Sequence, residues 1–426
     1  MRPNPSLPAR ARINLRHNPA VKNFLLGLCA CLLALPAAAQ AVRYSPVDQA
    51  GPALTVSADR LAASLHCEGA LDNASRAPIL LVPGTGSTPE ENFSWNYEVQ
   101  FRKLGIPFCD VTLPEKATAD IQVAAEYVVN GIRVMRARSG RQISVLGHSQ
   151  GGMVPRWAFR FWPDTRPMVD DLIGLAPANH GTTQSDANGT GLEASLQQGS
   201  NSQFTKALNS FKETFAGISY TVIYTRADEV VTPNGDDNGS SSLHTGDGRI
   251  SNTAVQDICP ADTYEHVTVG TIDPVAYELA IDALGHDGPA DRKRISAAVC
   301  GEVFHPGAKD QPLDGLQKSI SALQGQLSVV GVGGRRVNGE PALKCYVTVE
   351  CSAATGLAPG GCTKNARLKL RVGRGAKVRV NGRRVKVRRG YARIVVRAKR
   401  RTTVVRIKRG GKTRTRKFAP CLRRRA

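Results

Sequence analysis

The chain has 426 residues, 41% hydrophobic and 22% charged, with 41 Gly, 25 Pro and 10 Cys. That is enough apolar material for two domains and one large core, and it excludes a wholly disordered chain. The net charge of +22 is lopsided: residues 364–426 hold 27 Lys or Arg and no acid, leaving 30 basic against 35 acidic residues elsewhere. A mildly acidic body precedes a strongly basic tail, so the overall charge is no nucleic-acid signature for the body.

Arg2, Arg10, Arg12, Arg16 and Lys22 precede an apolar run from Phe24 to Leu35, and Ala37, Ala38 and Ala39 follow it. This pattern predicts a secretory signal peptide over residues 1–39. No later stretch is long and apolar enough to read as a transmembrane segment, and the mature chain is expected outside the cytoplasm. Without Cys29 and Cys31, the mature chain keeps Cys67, Cys109, Cys259, Cys300, Cys345, Cys351, Cys362 and Cys421. An even number in an oxidising compartment predicts disulfides, and no pair has the tight spacing of a zinc site.

From Ala77 onward short apolar runs alternate with helical patterns. Ile79 to Val82 reads as a buried strand ending in Pro83-Gly84-Thr85-Gly86, followed by a helix within Glu90 to Leu104 and a strand at Phe108 to Val111. Ile121, Ala125, Val128, Ile132 and Met135 recur at helical spacing, with Asp120 placed to cap the start and Gly140 the end. A strand at Ile143 to Leu146, a helix from near Gly152, and strands at Leu172 to Leu175 and Tyr220 to Thr225 complete an α/β pattern with a mostly parallel, doubly covered sheet. Within polar residues 182–217, Phe204, Leu208, Phe211 and Phe215 fall on one helical face, which suits either a mobile lid or a permanently packed surface helix.

The last hundred residues read as β, with strands at Tyr346 to Val349, Leu368 to Val372, Val378 to Val380, Val385 to Val387, Ile394 to Val396 and Val404 to Ile407. Asn381-Gly382 favours a type I′ hairpin. Six short strands predict a small Ig-like sandwich with one apolar and one cationic face. The expected organisation is therefore a leader at 1–39, a catalytic body at 40–330 and a basic β-domain at 331–426.

Gly147-His148-Ser149-Gln150-Gly151 is a Gly-x-Ser-x-Gly element between a predicted strand and a predicted helix. That is the context of a nucleophile elbow, in which flanking glycines let the turn stay tight while the Ser149 hydroxyl projects above the sheet. A serine needs a base and an orienting acid, which in this fold follow in the order acid, then histidine. Asp228 lies just past the strand Tyr220 to Thr225, where ligand-facing residues of parallel sheets occur, and it is the preferred acid. Glu229 would point elsewhere, and Asp236, Asp237, Asp247 and Asp257 lie in a polar loop. His266 follows Asp228 by 38 residues and is the preferred base. His66, His148 and His180 fail on order, and His244 sits in the polar loop. His286 is the main alternative, with His305 also nearer the domain boundary. The N–H of Gln150 and the loop Pro83-Gly84-Thr85-Gly86-Ser87 would supply the oxyanion donors, and that loop fits no phosphate-binding glycine pattern.

With these residues in hand, residues 61 to about 300 resemble the Candida antarctica lipase B-like lipases of the α/β-hydrolase superfamily. The likeness runs through Cys67, Pro78 to Gly86, Cys109, Ser149-Gln150-Gly151-Gly152, Ala176-Pro177, Asp228-Glu229, Cys259 and His266. It implies an α/β-hydrolase fold, Ser149, Asp228 and His266 as a catalytic triad, and Thr85 with Gln150 as the oxyanion hole. It also implies disulfides Cys67 to Cys109 and Cys259 to Cys300, and no metal or organic cofactor. His148 is a departure, since the yeast enzyme of this family has at that position a Trp that shapes its alcohol pocket, so alcohol selectivity is not carried over. The basic β-domain has no counterpart.

The expected function is a secreted serine lipase that hydrolyses triacylglycerols or other lipid esters through an acyl-enzyme on Ser149. A short-chain esterase, a polyester depolymerase or an amidase would use the same residues. The basic domain suits an anionic surface or polysaccharide, or is simply a solvated face. Tyr391 and Phe418 are the only aromatics in residues 364–426, too few for specific nucleic-acid recognition by stacking.

Overall fold

The computed structural model describes residues 42–188, 191–310, 312–327, 336–349, 365–371, 375–389, 391–397, 403–409 and 412–418. The predicted signal peptide and Cys351, Cys362 and Cys421 lie outside these residues.

Seven strands form the main sheet: β1 (Leu65–Glu68), β2 (Ile79–Val82), β3 (Phe108–Val111), β4 (Ile143–His148), β5 (Val169–Leu175), β6 (Ser219–Tyr224) and β7 (Arg249–Ala254). Their order is β1-β3-β2-β4-β5-β6-β7, with β1 antiparallel to β3 and every other pairing parallel. The chain leaves β2 to one side for β3 and returns on the other side for β4. The switch point of the winding therefore lies between β2 and β4, beyond whose carboxyl ends a doubly wound sheet opens a crevice.

Alternation along the buried strands sends residues into two cores. Leu80, Val82, Val145, Leu172 and Val222 join one cluster with the helices Ile121–Ser139 and Gln150–Phe161. Ile79, Leu81, Leu146, Ile173 and Ile223 join the other with the helices Tyr97–Leu104 and Pro274–Gly285. The predicted caps are present: the Asp120 carboxylate accepts the N–H of Gln122, and Gly140 ends the helix at φ 69°. Two disulfides, Cys67–Cys109 and Cys259–Cys300, fasten the body, the first joining directly paired residues of β1 and β3. Cys345 is also disulfide-bonded.

Three expectations need correction. Phe204 and Leu208 lie on a helix, Gln203–Leu208, but it stops there, and Phe211 is 69% exposed at φ 70°. Phe204 stacks on Trp157 at 4.2 Å, so this part of the segment is packed on the body. Tyr346 to Val349 is not a strand. It forms a turn and one isolated bridge, Thr348 to Tyr44, because Tyr346 is taken up by Trp162 and Phe161 and its hydroxyl accepts from Trp157 Nε1. The stretch 305–343, for which no element is predicted from the sequence, includes a helix, Pro312–Leu327, with Leu316 against Trp95 and Ile272.

The basic region contains two antiparallel sheets. One is β10-β9-β13-β14 and the other β11-β12-β8, from β8 (Asn365–Arg371), β9 (Lys377–Val380), β10 (Arg383–Val385), β11 (Val387–Arg388), β12 (Tyr391–Arg397), β13 (Thr403–Arg409) and β14 (Lys412–Phe418). Asn381 and Gly382 turn between β9 and β10 at φ 47° and 84°, as a type I′ hairpin requires. Ala376, Val378, Ala392 and Val405 make a small core shared by the two sheets. The strand expected over Val385 to Val387 is instead divided between them, at Lys386.

Candidate active site

β4 runs into Ser149, which sits at φ 55°, ψ −124°, a sparsely populated conformation for a residue with a Cβ. The helix Gln150–Phe161 begins immediately after it. Both elbow glycines are forced: a Cβ on Gly147 would lie 2.1 Å from the Gly151 carbonyl oxygen, and one on Gly151 would lie 2.0 Å from that of Val82. The helix start is thereby pressed against the end of β2, and Ser149 is held at the crevice by its N–H donating to the Leu175 carbonyl at 2.8 Å.

Asp228 follows β6. One carboxylate oxygen accepts the N–H groups of Val230 and Val231 at 2.9 and 2.7 Å, which aims the other at His266 Nδ1, 3.0 Å away. Asp228 and His266 are both buried. The Nδ1–H donated to Asp228 leaves Nε2 as the unprotonated ring nitrogen, the tautomer a general base needs. Burial alone would lower the His266 pKa, but the Asp228 carboxylate, with Glu229 and Glu265 behind it, outweighs burial and raises it. His266 opens a short helix, His266–Val269, whose N–H groups are capped by Glu265. Glu229 accepts the His266 backbone N–H at 3.4 Å and does not reach the ring partner. The alternative histidines are engaged elsewhere: His286 binds Asp282, and the buried His305 binds the Thr271 carbonyl.

Ser149, His266 and Thr85 line one cavity of about 50 Å³, together with Val230, Val231 and Val267 on its apolar side. The Thr85 hydroxyl donates to Gln150 Oε1 at 2.6 Å and accepts from Gln198 Nε2 at 2.9 Å. Thr85, Ser149, Gln150, Asp228 and His266 thus meet at the ends of β2, β4 and β6.

Among the lining residues with no role assigned from sequence, three bond directly to groups of the site. Gln198 fixes the Thr85 hydroxyl, Asn92 accepts the Gly84 N–H at 2.9 Å, and His148 Nε2 lies 3.1 Å from the His266 carbonyl oxygen. Only His148 carried a signal, its place beside the serine. Gln198 comes from the polar segment 182–217 and Asn92 from the helix Pro89–Asn92, so only tertiary folding brings them in. The helix Pro312–Leu327 adds Ser319 to the wall.

The model of the class 2 lipase family matches residues 131–271. Lipase B of Pseudozyma antarctica is 33% identical over 239 residues, which cover 55% of this chain and 69% of that protein. The crystal structure of Aspergillus fumigatus lipase B superposes with a TM-score of 0.64 at 31% identity, covering 71% of this chain and 76% of that one. The chain belongs to the lipase B family of α/β-hydrolases and is an ester-hydrolysing lipase.

Proposed function

We propose that this lipase works outside the cytoplasm through an acyl-enzyme on Ser149. His266 takes the proton of the Ser149 hydroxyl as it attacks the ester carbonyl. The N–H of Gln150 and the Thr85 loop stabilise the oxyanion, and His266 then protonates the departing alcohol. Water repeats the sequence in reverse and frees the acid. Asp228 holds His266 in the tautomer with Nε2 open and stabilises the imidazolium that forms.

The observation that carries this reading is Asp228 bound to His266 Nδ1 at 3.0 Å while His266 and Ser149 line the same cavity. Extracellular location is supported by the two disulfides and the leader-like first 39 residues. The proposed division is a body at 40–330 and a basic β-region at 331–426 that serves as a binding module, with Tyr346 and Val347 packed on the body.

A short-chain carboxylesterase is the second reading, favoured by a cavity much smaller than the roughly 300–1,000 Å³ of ligand pockets. Assaying esters from acetate to long acyl chains, beside Ser149→Ala, separates the two. Turnover of long-chain esters that Ser149→Ala abolishes supports the lipase reading. Turnover restricted to short esters supports the second, and undiminished activity in Ser149→Ala refutes both.

A further inference from the structure

Within the four-stranded sheet of the basic region, β9 and β13 have two chemically opposite faces, while Arg383 on β10 and Arg414 and Arg416 on β14 stand opposite Val380, Ile407 and Val405. Val378, Val380, Val385, Val405 and Ile407 point into its small core. The alternate residues Lys377, Arg379, Arg384, Arg406 and Lys408 are all exposed. Register then sets these cations side by side. Arg379 on β9 is directly opposite both Arg384 on β10 and Arg406 on β13, and Lys377 is opposite Lys408. Beyond them, β14 places Thr415 opposite Arg406 and Thr413 opposite Lys408, so the rows end on neutral residues.

Directly opposed like charges destabilise a sheet, and strands lie only about 5 Å apart. Ion pairs do not relieve these rows: among the described residues, the salt bridges of Arg and Lys lie in the body or, for Lys344, reach Asp120 on it, and none involves Lys377, Arg379, Arg384, Arg406 or Lys408. Residues 364–426 contain no acid that could supply one. The rows therefore have no counter-charge within their own region. Beside the rows opens a groove of about 870 Å³ lined by Lys377, Arg384, Lys386 and Arg389 together with Val385 and Val387, so cations and apolar side chains share one wall.

We propose that the outer face of β10-β9-β13 and its groove dock on an anionic lipid bilayer, bringing this lipase to the phase that holds its substrate. Regularly spaced cations on an open sheet match the phosphates of a headgroup layer. A nucleic-acid strand would call for aromatic stacking platforms, which this face lacks. The proposal rests on the reading of the basic region as a binding module.

The test uses the whole mature chain, co-sedimented with phosphatidylcholine vesicles with and without about 30% phosphatidylglycerol, across about 50–500 mM salt. Binding is expected to the anionic vesicles alone and to fade with salt. Arg379→Gln/Arg384→Gln/Arg406→Gln is expected to weaken it roughly a hundredfold while hydrolysis of a water-soluble ester stays unchanged. Arg379→Lys/Arg384→Lys/Arg406→Lys is expected to keep it, which separates lost charge from lost folding. Equal binding to neutral vesicles, unaltered binding of the Gln variant, or retention on a soluble polyanion without vesicle binding overturns the proposal. Loss of soluble-ester activity in Ser149→Ala reads the catalytic assignment separately.

Discussion

The imidazole of His148 bonds to the backbone of His266, with Nε2 3.1 Å from the His266 carbonyl oxygen and Nδ1 3.3 Å from Asn92 Oδ1. A neutral ring carries one N–H, and because Asn92 Oδ1 already accepts the Gly84 N–H at 2.9 Å, that proton is assigned to Nε2 and the His266 carbonyl. Burial, reinforced by the adjacent His266, nevertheless pushes the His148 pKa down to about 3, so the ring stays neutral. The space is built around it: a Cβ on Gly270 would lie 2.2 Å from the ring. His148→Phe keeps the ring and removes the donor. It should cost about 1–3 kcal/mol in urea unfolding by stranding a buried carbonyl. Turnover of a soluble ester should fall roughly ten- to a hundredfold because the base loses its anchor. Unchanged turnover would mean that His148 only fills space.

The His266 pKa is raised above 6.5 with Asp228 as the largest raising influence. A base must be unprotonated, so kcat/KM should fall as pH drops below a value above 6.5. Asp228→Asn removes that influence: the acid limb should move to lower pH, and turnover at neutral pH should fall by about 10⁴-fold through loss of the working tautomer. A pH profile that leaves the limb in place would detach Asp228 from the base.

Thr85 tests the oxyanion side. Thr85→Val deletes a hydroxyl held between Gln150 and Gln198. If that hydroxyl reaches the oxyanion, kcat should fall by about 10²–10³ with little change in KM. A change confined to KM would place Thr85 in substrate binding instead.

His305 predicts how stability responds to acid. It stacks on Tyr277 at 4.8 Å and packs on Tyr97, donates from Nε2 to the Thr271 carbonyl and accepts the Gly307 N–H at Nδ1. Burial lowers its pKa to about 4. The unfolded chain therefore binds a proton below about pH 6.5 that the folded chain refuses until about 4, and stability falls as pH falls through that window, by about 3 kcal/mol. Denaturant unfolding of the parent and of His305→Gln across this range should show a steeper acid decline in the parent. Parallel curves would refute the assignment.

The disulfide Cys259–Cys300 closes a loop of sequence separation 41 that contains His266. Replacing both cysteines with Ser should lower stability by about 4 kcal/mol in the chain-entropy account. Equilibrium unfolding of the parent beside Cys259→Ser/Cys300→Ser, without reductant so that Cys67–Cys109 stays closed, checks it, and equal stability would refute it.

Much of the body was legible because its signals are local. Four apolar residues at Ile79–Val82, the capped period of Ile121–Ser139 and the glycines about Ser149 each satisfy a nearby backbone demand. β7, with the polar sequence Arg-Ile-Ser-Asn-Thr-Ala, hid because an edge strand buries little, and β1 hid because its half-buried residues show no alternation. The helix Pro312–Leu327 was masked by Pro306, Pro312 and nearby glycines, although Leu316, Ile320 and Leu323 keep helical spacing. In the site, Ser149, Asp228 and His266 follow from strand ends and chain order. Gln198 and Asn92 do not, because their roles arise from contacts across 113 and 8 residues that leave no periodic trace.

The most direct test of the central claim is intact-mass analysis after inhibition with an alkyl p-nitrophenyl phosphonate, which traps an activated serine. The account predicts one phosphonyl group per chain, mapped to Ser149, with activity lost in proportion and no labelling of Ser149→Ala. A label on another residue that tracks the loss of activity, or full activity with Ser149 labelled, would contradict it.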